Sequence, residues 1–435
     1  MKPTLLAILL VFTTLLSAQR ELLQSGPMLG YAEMREILIW VQTTEAATVR
    51  IGYFPVAAGP ENTRFTASIA TLPATAFTAK LLADQVEPGI EYNYQLYIND
   101  QPIKLDYPTT FTTPPVWRWR NDPPEFSVAM GSCTYINDVP YDRPGKGYGS
   151  EYEIFTSIDA KQPNLMLWLG DNTYLREPDW YSRTGVFHRY THTRSVPEMQ
   201  PLLARTHNYA TWDDHDFGPN NSDRTWVRKE LTTEAFELFW GNLTFGTPDF
   251  GGITSMFRYN DVDFFLLDNR SFRSPNDLKH GEKTVLGKAQ LEWLIESLVF
   301  SDASYKMVCI GGQVLNTHQG GETYARLAPL EREYLLKRIE EEGIKNVVFL
   351  TGDRHHTELS ELTLRNGEKI YDITISSLTA GTGSERSEIN KNRVDGTLTI
   401  QHNFGVLTFT GAFRERALKL EVFDKDGLLL WERDL

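Results

Sequence analysis

Cysteine is scarce in this chain: Cys133 and Cys309 are the only two among 435 residues. Two thiols cannot build the disulfide framework that stabilises small secreted domains, so that class of fold is excluded. Cys309 lies in the apolar run KMVCIGG, which favours a buried and unreactive side chain. Cys133 follows an apolar run in MGSCTY, where a loop begins. A disulfide between the two cysteines stays open as an alternative.

An excess of positive charge is also lacking. The 43 Lys and Arg residues are outnumbered by 57 Asp and Glu residues, which gives a formal net charge of −14. Nucleic acids and anionic lipids attract proteins through basic groups, so we expect no nucleic-acid-binding domain and no electrostatic docking on membranes. An anionic substrate would need another source of attraction, and a bound cation would provide it.

Long apolar runs are absent beyond the N-terminus. Lys2, an apolar core at 5–16 and the small residues Ser17 and Ala18 are typical of a secretory signal peptide, which we assign to residues 1–18. The core is too short for a comfortable membrane span, and a buried N-terminal helix is the alternative. We therefore expect a monomeric protein, exported to the periplasm or the medium, with no integral membrane segment after cleavage.

Strand patterns dominate residues 19–118. The segments 37–43, 48–54 and 91–100 are rich in β-branched and aromatic residues, and turn signals such as Pro88-Gly89 separate them. We predict an N-terminal all-β domain of the immunoglobulin or fibronectin type. The run VEPGIEYNYQLYIND within it resembles the strand that carries a corner tyrosine in such domains.

Residues 125–435 alternate between apolar strands, such as 126–132 and 346–352, and helices such as 288–300. This alternation predicts an α/β fold, in which two packed sheets flanked by helices bind ligands at the carboxyl ends of strands. All nine histidines lie at or beyond His188, so a metal site would belong to this domain.

Four motifs in this domain share one form, an apolar strand followed at once by groups able to bind metal. They are Gly131-Ser132-Cys133, Gly170-Asp171-Asn172-Thr173-Tyr174, Trp212-Asp213-Asp214-His215-Asp216 with Asn220-Asn221, and Gly352-Asp353-Arg354-His355-His356. A single Asp after a strand is often a helix cap, but four such motifs point to a metal centre. Oxygen ligands suit hard cations, whereas His and thiolate suit transition metals. We predict two unlike metals bridged by Asp171, one iron-like and one calcium-, magnesium- or manganese-like.

Taken in order, GSC, GDNTY, WDDHD–NN, LLDNRSFR and GDRHHTEL resemble the alkaline phosphatase D (PhoD-like) group of calcineurin-like metallophosphoesterases. The resemblance covers residues 126–435, and the β domain before them is similar to that family's N-terminal domain. It implies a two-sheet metallophosphoesterase sandwich, secretion, and hydrolysis of phosphate monoesters or diesters at a centre that holds Fe3+ and Ca2+. Zn, Mn or Mg would be substitutes, and a hydroxide that bridges the metals would attack phosphorus.

The resemblance also implies a ligand set. Its metal positions correspond here to Cys133, Asp171, Tyr174, Asp214, Asn220, Asp353 and His355. Asn221 competes with Asn220 for the amide position. Asp214 stands where ordinary metallophosphoesterases have Asn, so whether it binds metal directly stays open. Asp353 likewise replaces a histidine of the wider superfamily, which favours harder metals.

Two residues are candidates for catalysis. His215 would contact phosphate or protonate the leaving oxygen, and the alternative is that it only orients Asp214 or Asp216. Arg270 would neutralise developing charge on the phosphoryl oxygens, and the alternative is an ion pair with a carboxylate such as Asp268. His356 is expected to orient metal ligands through its ring.

Other interpretations stay open. Residues 180–195, with His188 and His192, are expected to form a solvated helix face, and a substrate-facing lid is the alternative. The same site would also suit a phospholipase D-like enzyme or a nucleotide diesterase. A non-catalytic surface binding protein is the remaining hypothesis, although degeneration would predict lost ligands and all the main positions are filled.

Overall fold

The computed structural model describes residues 21–383 and 388–435. The chain divides into two compact units: the first contains the described part of Met1–Val116 with Arg194–Asn208 and Leu238–Gly241, and the second contains the remainder. The predicted signal peptide, 1–18, lies outside the described residues. Among the residues that are described, no helix combines the length and apolar character needed to cross a bilayer.

The first unit is built from strands. They are β1 (Leu23–Ala32), β2 (Ile37–Thr43), β3 (Thr48–Pro55), β4 (Arg64–Phe65), β5 (Ile69–Ala70), β6 (Thr78–Ala83), β7 (Glu91–Ile98), β8 (Gln101–Pro102) and β9 (Thr110–Thr112). One sheet has the order β1-β2-β6, and in the other β3 and β7 pair centrally. Alternate residues of β7 are buried, beginning with Tyr92, as expected for a strand with one face on a core.

A tyrosine corner fixes the start of β7. The backbone N–H of Glu87 donates a hydrogen bond of 2.8 Å to the hydroxyl of Tyr92, five residues later in the chain. This is the contact by which such a tyrosine holds the strand entry in immunoglobulin-like sandwiches. The predicted all-β character of the N-terminal region is confirmed, while the domain boundaries stay a prediction.

The second unit contains two six-stranded sheets. Their strands are β10 (Phe126–Gly131), β11 (Leu165–Leu169), β12 (His207–Thr211), β13 (Ser255–Tyr259), β14 (Val262–Leu266), β15 (Tyr305–Ile310), β16 (Val347–Thr351), β17 (Glu358–Thr363), β18 (Lys369–Thr374), β19 (Asn403–Thr410), β20 (Ala417–Asp424) and β21 (Leu429–Asp434). The sheet orders are β12-β11-β10-β19-β20-β21 and β13-β14-β15-β16-β18-β17. Strands β10 and β11 are parallel, as are β14, β15, β16 and β18, so their carboxyl ends share an edge in each sheet.

The helices are α1 (Glu153–Ala160), α2 (Arg183–Arg194), α3 (Gln200–Arg205), α4 (Asp214–Phe217), α5 (Lys229–Phe239), α6 (Lys288–Phe300), α7 (Tyr324–Leu327) and α8 (Pro329–Glu341). In α6, buried apolar residues recur at helical spacing from Leu291 to Leu298. They share one core with Leu335 and Ile339 of α8 and with Phe265, Val308 and Phe349 of the strands beneath.

The two sheets of the second unit pack face to face. Phe126 and Phe409 of one sheet stack with ring centroids 4.6 Å apart, and they contact Tyr259 and Tyr305 of the other sheet. The predicted two-sheet α/β sandwich flanked by helices is therefore confirmed.

Two expectations need correction. Both cysteines are free and buried, so the alternative of a disulfide is wrong, and Cys309 is the buried side chain that its run indicates. Helix α2 is not a solvated face, since Val186, Arg189 and Tyr190 are buried and His188 is exposed. Arg189 pairs there with Asp179 at 2.8 Å, and this buried ion pair explains why a basic sequence packs inward.

His207, the residue at which β12 begins, still belongs to the first unit and is buried. Its Nδ1 donates to the carbonyl oxygen of Gly30 at 2.9 Å, and Nε2 has no hydrogen-bond partner within 21–383 and 388–435. Burial lowers the pKa of His207 to about 4, against which the bond to Gly30 acts weakly.

Replacing His207 by Gln should therefore weaken the acid sensitivity of this unit. The histidine is neutral in both states above pH 6.5, and below that pH the unfolded chain binds a proton that the folded chain refuses until about pH 4. Between pH 7 and pH 4 the wild type should lose roughly 3 kcal/mol more unfolding free energy than His207→Gln. Urea unfolding of the two proteins, followed by far-ultraviolet circular dichroism at each pH, measures this difference. Equal pH slopes for the two proteins would contradict it.

Candidate metal centre

Cys133 follows β10 by two residues and is fully buried. Its Sγ lies 3.2 Å from Ser376 Oγ and 3.8 Å from Asp171 Oδ2. Its backbone N–H donates to the carbonyl oxygen of Gly170 at 3.1 Å. The loops that follow β10, β11 and β18 therefore converge on this thiol.

Four of the predicted metal ligands have left-handed backbones. The φ angles are 60° at Cys133, 51° at Asp171, 70° at Asp353 and 55° at His355. Side-chain-bearing residues adopt this region at an energetic cost, and such residues cluster at functional sites because the surrounding structure must hold them there. The strain indicates that these loop conformations orient the side chains, since a simple turn could be made at a lower energetic cost.

Metal-binding groups meet in three overlapping sets. The sets are Cys133, Asp171 and His355; Asp171, Asp214 and His215; and Asp213, Asp214 and Asp353, and within each set the ligand atoms lie within 4.8 Å of one another. Asp171 and Asp214 each belong to two sets. Such overlap is the geometry expected where carboxylates are shared between two neighbouring cations.

The cluster contains more acidic groups than the basic side chains beside it can neutralise. Burial, and then the charges of Asp214 and Asp213, raise the pKa of Asp171 well above its usual range. Burial and the charge of Asp171 likewise raise the pKa of the Cys133 thiol. Burial and the charge of Asp213 do the same for Asp353. Bound cations would reverse these shifts, because metal ligands bind in their deprotonated forms.

Unsatisfied polar atoms point to the same conclusion. Asp214 Oδ1 and His215 Nδ1 are buried without a hydrogen-bond partner among the described residues, which is rare for groups of this kind. The buried ring of Tyr174 stacks on His215 with centroids 4.3 Å apart, and its hydroxyl is close enough to Asp171 and Cys133 for their charges to raise its pKa further. The thiolate, phenolate, imidazole and carboxylate groups present suit one transition metal and one hard cation.

Hydrogen bonds hold His355 in a position and a tautomer that suit metal binding. Its Nδ1 donates to the carbonyl oxygen of Gly381, and its backbone N–H donates to Ser376 Oγ at 2.9 Å. A proton held on Nδ1 leaves the lone pair on Nε2, the tautomer that binds metal. The loop after β18 thus positions both His355 and Cys133.

Arg270 is fully buried among carboxylates. Its guanidinium pairs with Asp213 and, at 2.8 Å, with Glu322, while Asp214 Oδ1 lies at 3.6 Å. Its contact with Asp268 runs instead from its backbone N–H, at 2.9 Å. The geometry matches the ion-pair interpretation, with partners other than the predicted Asp268. A contact of Arg270 with phosphate stays a prediction.

The remaining predicted residues lie around this cluster. Asn220 is exposed and lines a cavity together with His215, whereas the backbone N–H of Asn221 donates to Asp214 Oδ2 at 2.6 Å. Asp216 accepts backbone N–H groups of Asn172 and Thr173, so it holds the loop after β11. His356 Nε2 lies 3.9 Å from Glu358 Oε1.

Three residues near the centre were not assigned a role from the sequence. Asp213 is one of the clustered carboxylates, and its place beside Asp214 in WDDHD was the only feature of the sequence that could have indicated it. Ser376 lies two residues beyond strand β18, and that strand has too many polar residues to be evident from its sequence. Arg176, two residues after Tyr174, places its guanidinium 5.2 Å from the Tyr174 ring centroid.

Comparison with known proteins agrees with this fold. A model of the PhoD-like phosphatase family matches residues 129–418, and a model described as Domain of unknown function (DUF7800) matches residues 20–116. The two-sheet sandwich with its cluster of metal-binding groups defines a metallophosphatase class of protein. The chain belongs to the PhoD-like phosphatase family.

Individual relatives are distant in sequence. Alkaline phosphatase D of Bacillus subtilis (strain 168) is 23% identical over 364 residues, which cover 71% of this chain and 59% of that protein. The chain thus spans less than two thirds of that relative's length. A solved structure of PhoD aligns with a TM-score of 0.74 at 17% identity, covering 94% of this chain and 91% of that one. Purple acid phosphatase PPD1 of yellow lupin (Lupinus luteus) seeds aligns with a TM-score of 0.67 at 14% identity, covering 94% and 73%.

Replacing Cys133 by Ala should lower the affinity for the transition metal. Removing even an outer partner of a metal ligand typically costs 10–100-fold in affinity, so loss of the thiolate itself should cost at least about 100-fold. Metal content measured by plasma mass spectrometry after dialysis tests this. Cys309→Ala is the matched control, because Cys309 is equally buried and lies outside the three sets. Equal metal content in the two variants would contradict the assignment.

Proposed function

We propose that this chain is an exported, metal-dependent phosphohydrolase that cleaves phosphate monoesters or diesters. The observation that carries the proposal is the convergence of Cys133, Asp171, Asp214, Asp353 and His355 in sets that share carboxylates. Membership of the PhoD-like phosphatase family supports the reaction class. Export rests on the signal-peptide pattern of residues 1–18.

We assign two cation positions to the cluster. Cys133, Tyr174 and His355 would hold Fe3+, since thiolate, phenolate and imidazole suit a transition metal. Asp214, Asn220 and Asp353 would hold Ca2+, which prefers oxygen ligands, and Asp171 would serve both. Bound there, the cations would polarise the phosphoryl oxygens and make an attacking water more acidic.

The protein's own groups would orient the ester. His215 lies where the cluster meets the cavity, and burial lowers the pKa of its ring against the opposing charge of Asp214. A neutral His215 would donate one N–H to a phosphate or leaving-group oxygen. Arg270 would act through Asp213, because its guanidinium is engaged with that carboxylate and with Glu322. It would thereby hold Asp213 beside Asp214 and Asp353.

Asp171→Asn is the variant that tests the proposal. An amide has one oxygen and no charge, so it cannot bridge two cations, and we expect at least about a 100-fold fall in kcat/KM. The assay is hydrolysis of bis-p-nitrophenyl phosphate and of p-nitrophenyl phosphate, with added calcium and iron and again after chelation. Comparison of the two substrates measures the preference for diester or monoester.

Asp263→Asn is the matched control. Asp263 is a fully buried carboxylate that pairs with Arg258 at 2.6 Å, outside the metal-binding sets. We expect its variant to retain metal-dependent turnover. A folded, metal-loaded wild type without turnover on either ester would contradict the proposed reaction. Absence of both turnover and bound metal would favour the surface binding protein instead.

A further inference from the structure

A cavity of about 940 Å³ opens beside the candidate metal centre. His215, from the second set of ligands, forms part of its wall. The ring of Tyr148, on another wall, lies 6.1 Å from the ring of His355, centroid to centroid. A group attached to phosphorus at the metal centre would therefore extend into this space.

The walls of the cavity are unusually aromatic. They include Tyr135, Tyr141, Tyr148 and Trp180. Tyr135 and Tyr148 meet edge to face with centroids 5.0 Å apart, and Tyr135 lies 5.1 Å from the ligand Tyr174. Tyr141 and Tyr148 expose 53% and 43% of their surface, so they do not pack in the hydrophobic core. Exposed aromatic side chains gathered at one concave surface mark a binding site.

Positive charge lies among these rings. The guanidinium of Arg176 sits 4.5 Å from the Tyr135 ring centroid, and its Nε donates to the Tyr135 hydroxyl at 3.2 Å. Arg143 also lines the cavity. Of the two acidic residues in the wall, Glu177 is exposed, and Asp142 accepts hydrogen bonds from Tyr135 and the Asp138 backbone. The stacked position of Arg176, beside Tyr174, suits contact with phosphate oxygens.

The loop that carries Tyr141 and Tyr148 is anchored rather than loose. His192 Nε2 donates to the carbonyl oxygen of Asn137 at 2.9 Å, and His188 Nε2 lies 3.2 Å from Asp138 Oδ2. The backbone N–H of Asn137 donates to the Tyr152 hydroxyl at 2.9 Å. Helix α2 thus holds the start of the aromatic wall, a role that neither interpretation of residues 180–195 included.

We propose that this cavity binds the planar ring of a nucleotide-type phosphate diester, with Arg176 on the phosphate. The proposal rests on the proposed function and narrows it to ring-bearing substrates. Stacking on aromatic side chains favours bases of any sequence, and a nearby guanidinium adds to it. A lipid diester, which carries alkyl groups on its phosphate oxygens, would gain little from edge-to-face tyrosines and arginines. The structure therefore favours the nucleotide diesterase over the phospholipase D-like alternative.

The test compares two diesters with alkyl leaving groups, thymidylyl-3′,5′-thymidine and the diester of phosphate with two glycerols. The kcat/KM ratio of the first substrate to the second should exceed one in the wild type. It should fall about tenfold in Tyr148→Leu, because one stacking surface is lost. Tyr148→Phe keeps the ring and should restore the ratio, whereas a structural disturbance would affect both substrates alike. Tyr334→Leu is the control, since Tyr334 is an exposed tyrosine of α8 away from the cavity.

Binding is measured as well, so that the outcome does not depend on turnover. Calorimetric titration of the metal-loaded protein with the non-hydrolysable methylene phosphonate analogues of thymidine 5′-phosphate and of glycerol phosphate should show tighter binding of the former, reduced about tenfold by Tyr148→Leu. Hydrolysis of both diesters with an unchanged ratio in Tyr148→Leu would overturn the ring proposal and leave the phosphohydrolase intact. Equal binding of the two phosphonates by wild type would also overturn it. Preferential ring binding without any turnover would support the cavity and contradict the proposed function.

Discussion

Mutual repulsion of buried carboxylates is the constraint on which this structure depends. Asp171, Asp213, Asp214 and Asp353 lie in overlapping sets whose ligand atoms are within 4.8 Å of one another, in a setting where burial already opposes their ionisation. Arg270 offsets part of that charge through Asp213, but it shares its guanidinium with Glu322. Bound cations would offset the remaining charge, and the thiol and imidazole at one side are ligands that suit a transition metal.

The strand topology of the sandwich brings those groups to one place. Parallel strands in each sheet bring loops to a common edge, and the residues just beyond β10, β11 and β16 are predicted metal ligands. Left-handed backbones at Cys133, Asp171, Asp353 and His355 then turn the side chains towards one another. The cost of these conformations is offset by the regular packing around them, such as the shared core of α6 and α8.

The periodic parts of the fold could be predicted from the sequence. Helix α6 and strand β2 have the predicted bounds, because their apolar residues recur at helical spacing or form one continuous buried run. Strand β18 was missed, since Asp372 within it is buried and accepts the backbone N–H groups of Val314 and Leu315. These N–H groups belong to a loop that is distant in the sequence, so the residue pattern around Asp372 does not indicate them.

The same limit applies to the site. Motifs beside strand ends were sufficient to gather the ligand types, because strand topology brings such ends together. The partners of Arg270 and the thiol contact of Ser376 join residues 52 to 243 positions apart, and only the folded chain reveals them. Arg176 stood beside a recognised motif, yet its stacking on Tyr135 depends on a loop 41 residues earlier.

In the proposed function, two unlike cations share Asp171. Crystals of the metal-loaded protein, measured with X-rays on both sides of the iron absorption edge, test it most directly. We expect an iron peak within bonding distance of Cys133 Sγ and the His355 ring, and a second, iron-free peak near Asp214 and Asp353, with Asp171 in contact with both. Absence of metal density between these residues, or a single cation that leaves Asp171 unbound, would contradict it.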